Sequence, residues 1–207
     1  MWSWITGADT ADTEDTPDTI DTEETPEQDY GISDTVTDEE GVARNTVNNT
    51  LIIEGASVRD CFDVVSSIEK YTDFLAAYEN IEVLTDEFDE ETKVRTRTAR
   101  YTLSIPSVLY VIVDEISYIL KIASHYDEAT NTARMSWKGI DGPSFIVEND
   151  GQWDVSEKDG ASHLGLQLAV GYSFYVPGYI KSWIETNMLT ETLNNFKQRI
   201  RDVSKIE

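Results

Sequence analysis

Ser162-His163-Leu164-Gly165-Leu166-Gln167-Leu168-Ala169-Val170-Gly171-Tyr172-Ser173-Phe174 alternates without a break. Leu164, Leu166, Leu168, Val170, Tyr172 and Phe174 fall on one side, and His163, Gly165, Gln167, Ala169, Gly171 and Ser173 on the other. A period of two with one apolar side predicts a β-strand with one buried face. Pro177 then opens a different pattern. Ile180, Ile184, Met188, Leu193, Phe196, Ile200 and Val203 recur at steps of mainly three or four, the spacing of one helix face. From Pro177 to Val203 such a helix is about 40 Å long. That is too long to cap a small domain, so it must run across a whole sheet.

Working outward, the preceding residues supply the sheet. Strands are predicted at about Thr132–Lys138 and Phe145–Ser156. The turns Asp141-Gly142-Pro143 and Lys158-Asp159-Gly160 bound them. Ser107 to Tyr126 reads as one long or bulged strand. Residues 92–103 alternate, and Ile81-Glu82-Val83-Leu84 precedes an acidic turn from Asp86 to Glu91. Thr46 to Glu54 reads as the first strand, ending at Gly55. Ser57 then caps a helix carrying Val58, Cys61, Phe62, Val65 and Ile68, and a second short helix holds Tyr71, Phe74 and Leu75. The order is one strand, two short helices, a run of about six strands and one long helix. The predicted class is α+β: a curved antiparallel sheet of about seven strands around a long C-terminal helix, over residues 45–207.

Residues 1–44 read differently. Residues 1–41 hold 14 acids and no Lys or Arg, and the first base is Arg44. Asp-Thr and Glu-Thr units repeat within residues 8–40. Such a segment buries too little apolar surface to offset its ordering entropy, so a disordered acidic tail is expected. Trp2, Trp4 and Ile5 at its end are a candidate docking motif for a protein partner.

The chain has 40 acidic and 16 basic side chains in 207 residues, a formal charge of -24. That field repels phosphate backbones and anionic lipid surfaces, which argues against nucleic-acid partners. No apolar run is long enough for a membrane helix, and the N-terminus lacks the basic and apolar regions of a secretory signal. A cytoplasmic location is expected. The single cysteine, Cys61, sits in an apolar helical pattern and reads as a buried, inert thiol.

Two segments carry a family resemblance. Val58-Arg59-Asp60-Cys61-Phe62-Asp63-Val64-Val65-Ser66-Ser67-Ile68-Glu69-Lys70-Tyr71-Thr72-Asp73-Phe74-Leu75 is the first. The second runs from Asn149-Asp150-Gly151-Gln152-Trp153 through the last strand to Val176-Pro177. Together they resemble the polyketide cyclase/dehydrase and coenzyme-Q-binding START-like group. That group lies in the helix-grip superfamily of START lipid-transfer domains and birch-pollen-allergen-like proteins. Thr72 and Ala76 stand where the group has prolines. The resemblance implies binding or transport of an apolar small molecule (a lipid, an isoprenoid quinone or a polycyclic aromatic) between sheet and helix. The residues expected to border that space are Tyr118, Trp137, Leu166 and Leu168 on strands, with Trp183 and Asn187 on the helix.

Little in the sequence points to catalysis. His125 and His163 are far apart on predicted strands, and with Cys61 they do not make a zinc pattern. Asp86 to Glu91 lacks the spacing of a calcium loop, and there is no phosphate loop or nucleophile elbow. No metal or cofactor is expected. A cyclase or dehydratase would have to draw on Asp114, Tyr118 or Arg100. A protein-interaction module resembling the ribosome-association toxins is a further alternative. Arg95, Arg97 and Arg100 read as an exposed strand balancing the acidic turn, or as an anion patch. Trp153 reads as core.

Subtracting the 14 acids of residues 1–41 leaves 26 acids against 16 bases, so the remainder still carries -10. Screening that self-repulsion should stabilise the fold. Urea midpoints should therefore rise modestly from low to moderate sodium chloride; a flat or falling curve contradicts this.

Overall fold

The computed structural model describes residues 34–37, 42–104, 116–173 and 189–205. Trp2 and Trp4, with most of the acidic tail, lie outside them, as do Asp114, Pro177, Trp183 and Asn187. The described strands are β1 (Asp34–Thr37), β2 (Ala43–Ile53), β3 (Tyr78–Asp89), β4 (Val94–Leu103), β5 (Ile116–Asp127), β6 (Thr132–Asp141), β7 (Ile146–Lys158) and β8 (Ala161–Tyr172). Between β2 and β3 come α1 (Val58–Ser66) and a 3-10 helix (Ile68–Asp73), and α2 (Glu191–Ser204) is the last described element. All eight strands form one antiparallel sheet in the order β1-β2-β8-β7-β6-β5-β4-β3.

The sheet has eight strands, one more than the seven or so expected. The addition is β1, whose Thr35-Val36-Thr37 pairs with Ala43 to Asn45 of β2. Thr and Val favour strands, but three such residues were hidden by the acidic composition around them. The acidic turn after β3 is also shorter than predicted. Asp86 to Asp89 continue the strand, and only Glu90 to Lys93 turn.

Local chemistry accounts for the element ends. Ser57 and Asp60 form a reciprocal capping box at α1: the Asp60 N–H donates to Ser57 Oγ at 3.1 Å, and the Ser57 N–H donates to Asp60 Oδ2 at 2.8 Å. Such a cap is worth about 1 kcal/mol. Asp159 and Gly160 both take positive φ, at 54° and 79°, and close the two-residue hairpin between β7 and β8. This is the turn whose twist matches that of the strands it joins.

The core lies on one face of the sheet. Val58, Cys61, Phe62 and Val65 of α1 and Leu193, Phe196 and Ile200 of α2 are buried against Leu51, Ile53, Trp153, Val155, Leu164 and Leu166. Phe196 is the junction. Its ring lies 5.2 Å from Tyr71, 5.3 Å from Phe74 and 5.3 Å from Trp153, in each case at a steep angle. Edge-to-face pairs of this kind add about 0.5–1.5 kcal/mol each beyond burial.

Arg97 corrects the sequence reading. Arg95 and Arg100 do balance acids on β3: Arg95 Nε donates to Asp86 at 2.7 Å and Arg100 Nη1 to Glu82 at 2.9 Å. Arg97 instead points into the core and is 1% exposed. Its Nη2 donates to the Ser66 carbonyl and its Nη1 to Glu69 at 3.2 Å. The guanidinium thus takes up a carbonyl at the end of α1 and ties that corner to β4. Nε has no acceptor among the described residues. Glu69 is half exposed, so water screens its part of the pair. Arg97→Met should cost about 1–3 kcal/mol in urea unfolding, because it strands a buried carbonyl. Glu69→Gln should cost less than about 1 kcal/mol. A larger loss for Glu69→Gln would show that the ion pair, not the carbonyl bond, holds the corner.

Candidate functional site

In an antiparallel sheet, direct cross-strand partners share a face. Arg97, Ile122, Trp137, Gly151, Leu168 and Val47 are successive partners across β4, β5, β6, β7, β8 and β2. They make one row across the core face. The neighbouring row holds Arg95, Ser124, Met135, Trp153, Leu166 and Asn49.

Cover varies along these rows: Arg97, Ile122 and Val47 of the first are buried. Met135 is 3%, Trp153 4% and Leu166 6% exposed, beneath Phe196 of α2. One row further, Trp137 and Leu168 are only half-buried, although both sit on central strands. Val170, two residues beyond Leu168, is half-buried too. The core is therefore solid under α1 and α2 and less covered along the far halves of β6 and β8. Gly151 makes this half shallow. A Cβ there would meet the Trp137 indole and come within 2.7 Å of the Gln167 carbonyl oxygen. The indole lies across the glycine, which no side chain could share.

Beside this surface stand three buried tyrosines, Tyr71, Tyr101 and Tyr118, and the half-buried Tyr78. Tyr71 and Tyr78 have ring centroids 6.3 Å apart, Tyr78 and Tyr101 5.6 Å, and Tyr101 and Tyr118 5.5 Å with nearly parallel planes. Tyr71 donates its hydroxyl to the Val65 carbonyl, and the Tyr78 and Tyr118 hydroxyls bond one another. Burial raises the pKa of all four above the usual value near 10. For Tyr71 and Tyr118 the rise is large. Each phenol is held neutral and can offer a hydrogen bond but not a phenolate at neutral pH.

A cavity of about 520 Å³ lies at the end of β6 and β7, and none of the six residues of the Trp137 row lines it. It opens where β6 and β7 part: their registered pairing ends at Lys138 and Asp150. Beyond that point the Gly139 N–H donates to Asp150 Oδ1 at 3.1 Å. Tyr118, Gly139 and Asn149 line the inner part; Lys138, Asp141 and Glu148 are among the residues at the rim.

The residues expected from sequence fall out as follows. Trp137 and Leu168 share the less covered row, and Trp137 Nε1 points to Asn149 Oδ1 at 3.4 Å. Tyr118 lines the cavity. Leu166 lies in the solid row with Trp153. Trp183 and Asn187 are outside the described residues. Sequence reading missed Tyr78, Tyr101 and Asn149, which meet only through pairing. Of the groups weighed for catalysis, Arg100 faces away from the core and is bound to Glu82. His125 Nδ1 lies 3.1 Å from the Lys93 carbonyl oxygen, at a turn. Burial pushes the Cys61 thiol up to about 11, so it stays protonated and unreactive. Among the described residues, no three His, Cys, Asp or Glu side chains converge as metal ligands, and no helix is long and apolar enough to cross a membrane.

The tyrosine pKa values set an alkaline limit. The folded values lie above the unfolded ones, so stability is fully present below about pH 10 and is lost as pH rises further. Urea midpoints should hold to about pH 9 and then fall, with phenolate absorbance from these groups appearing only on unfolding. Full phenolate absorbance from a chain still folded would contradict this.

No family model matches the sequence, and no curated protein does. Solved structures do match. A START superfamily protein from Mycobacterium smegmatis superposes with a TM-score of 0.56 at 15% identity, over 76% of this chain and 98% of that one. A STAR-related lipid transfer protein from Xanthomonas axonopodis gives 0.54 at 12%, over 84% and 99%. The Zhui aromatase/cyclase from Streptomyces sp. R1128 gives 0.53 at 13%, over 77% and 96%. At these identities the likeness speaks to architecture, and with the single curved sheet and the C-terminal helix packed on it, the chain has the helix-grip fold of the START-like and aromatase/cyclase structures.

Proposed function

We propose that this chain binds or carries an apolar small molecule, a lipid, an isoprenoid quinone or a polycyclic aromatic, without transforming it. One observation carries the reading: Trp137, Leu168 and Val170 stand on central strands and face the core, yet stay half-buried, and a cavity of about 520 Å³ lined by Tyr118 and Asn149 opens at the end of β6 and β7. A packed interior covers such side chains, and ligand sites commonly occupy about 300–1,000 Å³. Covering them with ligand would gain about 25 cal/mol per Å² of apolar surface. Tyr118 would supply a neutral polar contact. Trp183 and Asn187, on the expected helix, would complete the wall. The lipid-transfer protein and the aromatase/cyclase among the similar structures are consistent with a ligand held in this fold. The cyclase alternative draws less support, since Arg100 is turned outward and paired with Glu82.

An uncharged, environment-sensitive apolar dye tests the reading. It should bind the folded chain with blue-shifted emission and be displaced by a long-chain or isoprenoid competitor. Trp137→Ala should weaken uptake while the chain stays folded. Trp153→Ala should instead destabilise by about 3–5 kcal/mol, because it empties the solid row. Dye binding no better than to a control globular protein would overturn the proposal.

A further inference from the structure

β3 is the last strand of the sheet, and among the described residues β4 is its one neighbour. It runs for 12 residues, of which only Tyr78 and Ile81 are even half-buried. Three large apolar side chains stand open along it: Val83 is 37%, Leu84 39% and Phe88 54% exposed. On an edge strand every second residue turns its N–H and C=O away from the sheet, where another strand can take them. The opposite edge of this sheet is already extended in that way, since β1 adds four residues to the side of β2.

Register sorts the β3 side chains into two faces. Ile81, Val83 and Phe88 are the partners of Tyr101, Ala99 and Arg95, on the core side. Glu82, Thr85, Glu87 and Asp89 are the partners of Arg100, Thr98, Thr96 and Val94, on the outer side. Leu84 is the extra residue of a bulge between Val83 and Thr85, and from there to Asp89 the pairing is regular. The strand carries five acids and no Lys or Arg. One face of the open edge is thus lined with apolar side chains and the other with carboxylates.

We infer that the free edge of β3 is a strand-addition site for an extended segment of a partner protein in which apolar and basic residues alternate. Main-chain bonds to the edge hold such a segment, and the two faces select it. Its apolar side chains lie beside Val83 and Phe88, and its basic ones beside Glu82 and Glu87. A second copy of this chain fits badly, because two β3 edges would bring like charges together across the pair. Acids on an edge keep copies apart. The same acids attract a basic strand, and the formal charge of -24 draws it in from a distance. The site is separate from the cavity at the end of β6 and β7, which no β3 residue lines.

Short fluorescent peptides titrated into the full chain at physiological salt give the test, read by anisotropy. A peptide of alternating valine and lysine should bind. The same peptide N-methylated at every residue keeps its charge and side chains but has no N–H to donate, and should bind at least roughly tenfold more weakly. A valine and glutamate peptide should not bind. Glu87→Lys and Phe88→Ser, both at exposed positions, should leave the circular dichroism unchanged and each weaken the lysine peptide by roughly threefold to tenfold. Equal binding of the N-methylated form, or binding unchanged in both variants, would show attraction to the acidic chain at large and overturn the inference. So would a dimer of the chain alone that Phe88→Ser dissociates, since the edge would then belong to a second copy. No binding of the lysine peptide overturns it as well, and leaves the acids of β3 as a device that only blunts the edge.

Discussion

The burial of Phe196 is the constraint on which the rest of the structure depends. Its ring joins α2 to the 3-10 helix through Tyr71 and Phe74, and to the middle of the sheet through Trp153. Three segments far apart in sequence meet at one side chain. Leu193 and Ile200 lie one turn to either side on the same helix face and are fully buried, so α2 cannot slide without uncovering them. Arg97 adds a second tie, from β4 to the end of α1. Among the described residues, α1 and α2 lie over one half of the sheet, and Trp137 and Leu168 on the far halves of β6 and β8 are less buried.

That asymmetry is what makes the interior useful. Among the described residues, the helices pack on part of one face of the eight-stranded sheet. Where α1 and α2 lie, its apolar residues form a packed core. Elsewhere among the described residues, Trp137, Leu168 and Val170 stay half-buried, and a cavity opens at the end of β6 and β7. The tyrosines at the edge of this region are neutral, which lets a buried hydroxyl pair sit there without an ionic partner.

Much of this was legible in local sequence. The alternation of β8, the Ser57 cap, the Asp159-Gly160 turn and the stripe through Leu193, Phe196 and Ile200 depend on neighbours only a few residues away. Arg97 was misread because a charge on an alternating strand ordinarily faces water; its acceptors, Ser66 and Glu69, lie about thirty residues earlier and reach it only through the fold. The tyrosine series failed for the same reason, since Tyr71, Tyr78, Tyr101 and Tyr118 come from four different segments. Trp137 and Leu168 could be named as apolar strand residues. That they share a row through Gly151 follows only from register. Leu166 has the same pattern as Leu168 in sequence but lies under α2, a distinction that alternation cannot make.

The account claims that the less covered half of the core face is completed by a small molecule. Native mass spectrometry of the chain purified from its own host, followed by organic extraction, measures that directly. One apolar molecule bound per chain, released on unfolding and recovered in the extract, is the predicted result. The mass of the bare polypeptide, with no extractable molecule beyond that from a control globular protein of the same host, would contradict it.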